Sequence, residues 1–270
     1  MLDTGLAGKT CLITGGSTGI GLGIARALAR EGVHLAVASR NPEAEGMAEL
    51  AQLSRGHAIA IHADVSKEDG AVGMVNEAIE KLGHIDLFIN NAVQAWHQPV
   101  TKITSEAFYN TINTNLTSCI WAGREIAKHM IARGSGSILI VNSTVRYVPA
   151  YRESSYRISK MGLKMYTETL AIELAPFGIR VNLLTPGHYP TRLTSGIPSH
   201  IEAKLKAQIP IRRFGNLDEC GAAAVLLLSD RLSGYTTGTD ITIDGGLALR
   251  PLSMLTDEEI AKLNMESPES

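Results

Sequence analysis

A tyrosine and a lysine four residues apart have a spacing suited to proton chemistry. Tyr156 and Lys160 lie in a stretch with a helical pattern, so their side chains are expected to share one face. A phenol has an ordinary pKa of roughly 10 and is a poor base near neutrality. A nearby ammonium favours the phenolate, so we expect Lys160 to lower the pKa of Tyr156. Taken alone, such a pair is also common on exposed helix surfaces.

A serine precedes this pair at the end of a predicted strand. Ser143 follows the β-rich run Ser137–Val141, and its hydroxyl could hold the oxygen atom of a substrate. The three residues together predict a site where a proton moves to or from a substrate oxygen.

A glycine-rich turn near the start of the chain predicts a dinucleotide site. It follows the first predicted strand and precedes an amphipathic helix, with the spacing GxxxGxG. Only glycines let a pyrophosphate approach the backbone N–H groups at a helix N-terminus. The residues expected to contribute are Gly15, Ser17, Thr18, Gly19, Ile20 and Gly21.

The end of the second predicted strand indicates the type of cofactor. Folds specific for NAD carry an acidic residue here, which binds the adenosine ribose. This chain has Ser39 followed by Arg40. A guanidinium can pair with a 2′-phosphate, so NADP(H) is favoured. The alternative is a solvated arginine at the end of a strand.

Short β-rich runs alternate with longer helical patterns along the chain, which is typical of βαβ units with right-handed crossovers. We predict an α/β fold in one domain over residues 1–270, a doubly wound (Rossmann) parallel sheet of about seven strands with helices on both faces. No linker or shift in composition divides the chain. The predicted strands are Thr10–Thr14, Leu35–Ala38, Ala58–His62, Leu87–Asn90, Ser137–Val141, Arg180–Leu184 and Asp240–Ile243. The predicted helices are Ile20–Arg30, Pro42–Ser54, Glu68–Leu82, Ser105–Arg133, Ser155–Leu174 and Leu217–Ser229.

Two segments depart from this alternation. Residues 185–214 carry Pro186, Gly187, Pro190, Pro198 and Pro210 around a short amphipathic stretch, as expected of a lid over a substrate. Residues 247–270 form a C-terminal extension with an acidic end, in which 255–263 could form a short helix.

Composition excludes several classes of function. A formal net charge of −2 argues against nucleic acid as a partner. Three widely spaced cysteines suggest neither a metal site nor a disulfide framework. The start has no signal-peptide pattern, and the longest apolar run, Ala222–Leu228, is too short to span a bilayer. We expect a cytoplasmic protein with no metal and no membrane contact.

These motifs together make the chain resemble the classical short-chain dehydrogenase/reductase family. The resemblance covers about residues 6 to 246, and its motifs occur in the family's order. They are Thr14-Gly15…Gly19-Ile20-Gly21, Asp64, Asn90-Asn91-Ala92, Asn115, Ser143, Tyr156-x-x-x-Lys160, Pro186-Gly187…Thr191 and Asp244-Gly245-Gly246.

The resemblance implies a catalytic tetrad and a set of cofactor contacts. Tyr156 would be the general acid or base, and Lys160 would lower its pKa and hold the nicotinamide ribose. Ser143 would polarise the carbonyl, and Asn115 would anchor a water that links Lys160 to a proton relay. Cofactor contacts would come from Asp64 and Val65 at the adenine, Asn91 and Ala92 beside the nicotinamide, and Pro186, Gly187, Tyr189 and Thr191 at its amide.

Departures from the family pattern suggest substrate contacts. Val93 stands where a glycine is common, and His188 stands where a large apolar residue is usual; Val145 is a further candidate. Three arginines, Arg146, Arg152 and Arg157, flank the segment that leads to Tyr156. They could bind an anionic substrate group, or they could be surface arginines at an oligomer contact.

The resemblance leaves the substrate open. The leading hypothesis is NADPH-dependent reduction of a ketone, such as a 3-oxoacyl thioester. The alternatives are a sugar or polyol dehydrogenase working in the oxidative direction and a non-catalytic NADP-binding sensor. The helices Ser105–Arg133 and Ser155–Leu174 are long and partly apolar, so a homo-oligomer, tetramer or dimer, is expected.

Overall fold

The fold is built on one parallel sheet of seven strands. The structure is a computed structural model that describes residues 3–41, 45–54, 57–147, 150–191 and 198–249. The strands lie in the order β3-β2-β1-β4-β5-β6-β7, and every neighbouring pair is parallel. They are β1 (Thr10–Thr14), β2 (His34–Ser39), β3 (Ala58–His62), β4 (Leu87–Asn90), β5 (Gly136–Val141), β6 (Ile179–Pro186) and β7 (Asp240–Ile243).

Helices cover both faces of the sheet. They are α1 (Gly19–Arg30), α2 (Glu45–Leu53), α3 (Glu68–Leu82), α4 (Ser105–Ile112), α5 (Ser118–Arg133), α6 (Ser154–Leu174), α7 (Ser199–Ala207), α8 (Leu217–Leu228) and α9 (Asp230–Ser233). One apolar core packs α1, α2 and α8 against the sheet, and a second packs α3, α5 and α6 against its other face. The predicted doubly wound fold is confirmed.

The strands have the composition that burial on both faces demands. All five residues of β1 and all eight of β6 are buried, whereas the edge strand β7 is only partly covered. Aliphatic side chains fill these central strands, as expected for a parallel sheet between two helical layers. Burial of this surface is the main contribution that stabilises the fold.

The predicted helix over Ser105–Arg133 is interrupted. A π-helical turn, Asn113–Thr117, separates α4 from α5. A π turn inserts one extra residue into the helix and is frequent at functional sites. The insertion turns Asn115 inward, where it is fully buried. The apolar periodicity continues on both sides of the turn, which is why the pattern alone predicted one helix.

Other predicted segments agree with the structure within its described range. The strands match to within two residues, and the amphipathic part of the predicted lid forms α7. The proposed helix at 255–263 lies outside the described residues, so the single domain over 1–270 stays a prediction. No helix among the described residues is long and apolar enough to cross a membrane.

The topology brings the candidate residues to one edge of the sheet. The strand order reverses between β1 and β4: β2 and β3 extend the sheet on one side of β1, and β4 to β7 extend it on the other side. Ligands of such folds bind at the carboxyl ends of the strands beside this reversal. Gly15 follows β1, Asn91 follows β4, Ser143 lies just after β5 and Gly187 follows β6.

Candidate active site

The glycine turn after β1 is shaped by close backbone contacts. Gly15 and Gly19 adopt φ values of +65° and +54°, which side chains disfavour. A Cβ on Gly21 would lie 2.2 Å from the carbonyl oxygen of Gly15. Any larger residue at position 21 would therefore force the turn apart.

The first turn of α1 offers free donors to an anion. Thr18 precedes the helix without a side-chain cap, and no acidic residue lies in the first turn. The unsatisfied N–H groups and the helix dipole favour a negative group at this point. Gly46 of α2 packs against the same turn, where a Cβ would meet the Ser17 carbonyl at 2.2 Å. The cradle fits a pyrophosphate.

Thr14 connects the glycine turn to the segment after β4. Its hydroxyl oxygen accepts hydrogen bonds of 2.9 Å from the backbone N–H groups of Asn91 and Ala92. The Asn91 side chain returns two bonds of 3.0 Å, to the carbonyls of Thr14 and Gly15. Thr14 begins the glycine motif, but the sequence indicated no role for its side chain. Its structural role is to hold the two predicted cofactor segments together.

The end of β2 presents a cation to solvent. Arg40 is exposed, while the hydroxyl of Ser39 donates a 2.8 Å bond to the carbonyl of Asn41. Asp64, after β3, has a lowered pKa, mainly because the Ser66 hydroxyl donates to it, with a smaller contribution from Arg40. The Asp64 carboxylate thus caps its own turn near Arg40. Val65, beside it, is buried.

Asn115 holds the segment that follows Asn91 and Ala92. Its side chain accepts a 2.8 Å bond from Gln94 N–H and donates a 2.9 Å bond to Gln94 O. The amide nitrogen also donates to the Ser159 hydroxyl at 3.1 Å. Both amide hydrogens are thus used, so a relay water would have to bind another group of Asn115. Nothing in the sequence around Gln94 indicated this contact.

Tyr156 lies close to Ser143, just after the end of β5. Burial raises the pKa of the Tyr156 phenol to about 12, and the nearby Ser143 hydroxyl acts in the opposite direction with a smaller effect. Glu153 raises it further and Arg157 lowers it. Tyr156 is therefore protonated near neutrality, as a general acid must be.

Lys160 bonds the backbone of β5, the strand that precedes Ser143. Its ammonium donates a 3.0 Å hydrogen bond to the Val141 carbonyl and lies 5.9 Å from the centre of the Tyr156 ring. Burial lowers the pKa of Lys160 to about 8. Lys160 is not among the groups that shift the pKa of Tyr156 here, so its expected lowering of that pKa stays a prediction.

The segment after β6 faces the glycine turn only in part. The side chain of Thr191 lies beside Gly19, where a Cβ would meet it at 3.4 Å. Gly187 packs on Asp244 and donates to the Ile243 carbonyl. The Tyr189 ring is 3% exposed, and its hydroxyl donates to the same carbonyl at 3.1 Å. The nicotinamide contact of Tyr189 stays a prediction, and its backbone would have to make it, because the ring is buried in the core.

His188 lies two residues beyond the end of β6. It is partly buried, which lowers its pKa, while the carboxylate of Glu153 acts in the opposite direction. Its ring centroid is 6.0 Å from that of Phe214. Val93 and Val145, the other candidates for substrate contact, are also partly exposed.

The three arginines do not form an anion site. Arg146 is buried and paired with Asp240 at the start of β7, and it donates a 2.6 Å bond to the Tyr147 hydroxyl. Arg157 binds Glu153 and the Val145 carbonyl, and Arg152 binds the His97 carbonyl. Its burial and its pair with Asp240 argue against Arg146 as a substrate contact, and Arg146 is not a surface arginine either. Its partner lies too far along the chain for local sequence to indicate it.

Comparisons with known proteins agree with this geometry. A family model described as enoyl-(acyl carrier protein) reductase matches residues 15–248. A 3-oxoacyl-(acyl-carrier-protein) reductase of Chlamydia pneumoniae is 33% identical over 91% of this chain and 99% of its own. Glucose 1-dehydrogenase 2 of Bacillus subtilis is 33% identical over 91% of this chain and 97% of its own.

Solved structures show the same architecture. A gluconate 5-dehydrogenase from Burkholderia cenocepacia, in complex with NADP and tartrate, superposes with a TM-score of 0.83. It is 29% identical and covers 90% of this chain and 96% of its own. The fold, the glycine turn, the Tyr156–Lys160 spacing and these relatives agree, and the chain belongs to the classical short-chain dehydrogenase/reductase family of oxidoreductases.

Proposed function

We propose that this protein is an NADP(H)-dependent oxidoreductase that interconverts a ketone and a secondary alcohol, with reduction as the main direction. The observation that carries the proposal is the protonated phenol of Tyr156 close to Ser143, just after the end of β5. The pair lies at the strand edge that also carries the glycine turn.

NADP(H) fits the residues on this edge. The glycine turn and the uncapped N-terminus of α1 would hold the pyrophosphate, and the exposed Arg40 would pair with a 2′-phosphate. The bound nicotinamide would supply or accept a hydride. The solved gluconate 5-dehydrogenase was crystallised with NADP, which supports this choice.

The mechanism assigns each proton to a residue of this chain. Ser143 would hold the carbonyl oxygen, and Tyr156 would donate its proton to that oxygen as negative charge develops. The phenol is protonated near neutrality, as this step requires, while its raised pKa makes it a weaker acid. Lys160 keeps its positive charge close to Tyr156. When the cofactor binds, the ammonium would leave the Val141 carbonyl and donate to the ribose hydroxyls instead. Asn115 would keep the Gln94 segment in place.

A ketone substrate and a sugar or polyol substrate remain two forms of this proposal. One relative is a 3-oxoacyl reductase and another a glucose dehydrogenase, so the comparisons support both. Reduction is the leading form, because NADPH is normally kept reduced in cells. A non-catalytic sensor is disfavoured, because all four tetrad residues are present.

An apolar stripe on α6 supports a homo-oligomer. Ile158, Met161, Met165 and Ile172 recur at helical spacing and are between 52% and 77% exposed. Apolar residues at this spacing form one face. A contiguous exposed apolar face is a mark of protein contact, and we infer that a second copy covers it. A cytoplasmic location stays a prediction.

The test is NADPH consumption with a panel of ketones, including ethyl acetoacetate and a keto-gluconate, in the wild type, Tyr156→Phe and Tyr166→Phe. Tyr166 is the matched control, because its buried hydroxyl lies on the same helix and bonds the Ile120 carbonyl. We expect Tyr156→Phe to lose activity by about 100-fold or more, while Tyr166→Phe keeps it. Full activity in Tyr156→Phe would overturn the mechanism, and no turnover of any ketone or alcohol would favour the sensor.

A further inference from the structure

An ion pair at the start of α6 connects three segments of the site. Arg157 donates a 2.7 Å bond to one carboxylate oxygen of Glu153, and the other oxygen lies 3.7 Å from His97 Nδ1. The second terminal nitrogen of Arg157 donates to the carbonyl of Val145. We call these two residues the Glu153–Arg157 pair.

The pair ties the serine turn to the catalytic helix. Val145 N–H points to the Ser143 hydroxyl at 3.4 Å, so the carbonyl held by Arg157 belongs to the turn that carries Ser143. Arg157 directly follows Tyr156 on α6. A ring of contacts therefore runs from Tyr156 through Ser143 and Val145 to Arg157.

Opposite charges of this pair act on one hydroxyl. Glu153 raises the pKa of Tyr156, whereas Arg157 lowers it. The exposed fractions of the two side chains are 24% and 16%, so solvent screens these charges only partly. Other charged or titratable groups near the pair are Lys160 on the same helix, His97 before α4 and His188 after β6.

We propose that the Glu153–Arg157 pair is a positioning device for proton transfer, which fixes the Ser143 turn on α6 and balances the charge around the Tyr156 hydroxyl. This inference rests on the proposed function of Tyr156. An ordinary i,i+4 surface pair would do neither. Lys164 and Glu168 form such a pair further along α6, where each is 37% exposed.

The experiment compares Glu153→Gln, Arg157→Gln and Arg157→Lys, with Glu168→Gln as the matched control. The first readout is the pH dependence of kcat/KM for reduction of ethyl acetoacetate by NADPH, whose alkaline decline reports the loss of protons from Lys160 and then from Tyr156. Glu153→Gln removes a negative charge, so the decline should move to lower pH by up to about one unit. Arg157→Gln removes a positive charge and should move it to higher pH.

Arg157→Lys separates positioning from charge. Lysine keeps the charge but lacks the planar fork that reaches Glu153 and Val145 together. We expect an unchanged pH profile with kcat lowered by about 3- to 10-fold. Glu168→Gln should match the wild type in both kcat and pH profile. Thermal melting establishes that each variant is folded.

A second readout does not depend on turnover. A difluorotyrosine in place of Tyr156 has a more acidic phenol, whose titration can be followed by fluorine NMR in the cofactor-free protein. Glu153→Gln should lower the observed midpoint and Arg157→Gln should raise it. Shifts of the same sign, or shifts no larger than that of Glu168→Gln, would overturn the inference. Inactivity of the wild type toward every ketone, with opposite NMR shifts, would instead refute the proposed function alone.

Discussion

Lys160 donates a 3.0 Å hydrogen bond to the carbonyl of Val141, the last residue of β5. The lysine is 3% exposed, and burial lowers its pKa to about 8 from 10.5. A buried ammonium with one backbone acceptor is costly to the fold. We therefore expect that Lys160 functions in catalysis and that its burial lowers the free energy of unfolding.

Lys160→Met is expected to abolish activity and to stabilise the cofactor-free protein. The unfolded chain binds the Lys160 proton more tightly than the folded one, so the cost of burial is fully present below about pH 8 and disappears as the pH rises to 10.5. Below pH 8 we expect a gain of about 1 to 3 kcal/mol in the free energy of unfolding. Denaturant melts at several pH values measure it. Lys164→Met is the control, and an advantage that does not shrink toward pH 10.5 would contradict the assignment.

Gly21→Ala is expected to weaken NADPH binding. The added Cβ would lie 2.2 Å from Gly15 O and 2.4 Å from Asn91 Nδ2, so the turn must open. We expect a rise in Kd of about 10-fold or more, measured by NADPH fluorescence. Gly73→Ala on α3 is the control, because a Cβ there meets nothing within 4 Å. It should leave binding unchanged and stabilise the helix by about 0.5 to 1 kcal/mol. Equal Kd values in both variants would argue against the glycine turn as the cofactor site.

Arg40→Asp is expected to shift cofactor preference from NADPH toward NADH. A carboxylate at the end of β2 would repel a 2′-phosphate and could accept bonds from a ribose hydroxyl. The ratio of kcat/KM values for NADPH and NADH should fall by about 10-fold or more. Lys128→Asp on α5 controls for the change in net charge. An unchanged NADPH affinity in Arg40→Asp would show that Arg40 does not bind the phosphate.

Arg146→Ala is expected to destabilise the protein without changing substrate charge preference. The substitution leaves the partly buried Asp240 carboxylate without its guanidinium, at a cost of about 2 to 4 kcal/mol. Thermal melting measures this cost, and Arg152→Ala, at an exposed position, is the control. KM values for a charged and a neutral ketone should change by the same factor. A selective rise for the charged ketone would restore Arg146 as a substrate contact.

Met165→Glu is expected to dissociate the oligomer. Met165 is 64% exposed at the centre of the apolar stripe on α6, and a charge there cannot be buried against a second copy without a partner. Light scattering after size exclusion should give a lower mass than for the wild type. Val100→Glu, at a 78% exposed position outside α6, should keep the wild-type mass. A monomeric wild type would refute the expected assembly.

The sequence alone was sufficient for the elements and their order. Hydrophobic periodicity depends on neighbours along the chain, so the seven strands and most helices were predicted nearly to the residue. Gly15, Asn91, Ser143 and Gly187 each follow one of the predicted strands, and the structure places these strands, β1, β4, β5 and β6, side by side in the sheet. In a parallel sheet this places them at one edge, which the structure confirms.

The environments of individual side chains depended on contacts between distant segments. Arg146 pairs with Asp240, Asn115 with Gln94, and the Tyr189 hydroxyl with the Ile243 carbonyl. Burial, pKa and available donors follow from such partners. The sequence thus determined which residues could carry proton transfer, while only the tertiary structure decided that Lys160 rests on Val141 and that Glu153 and Arg157 flank Tyr156, because these contacts exist only once the segments pack together.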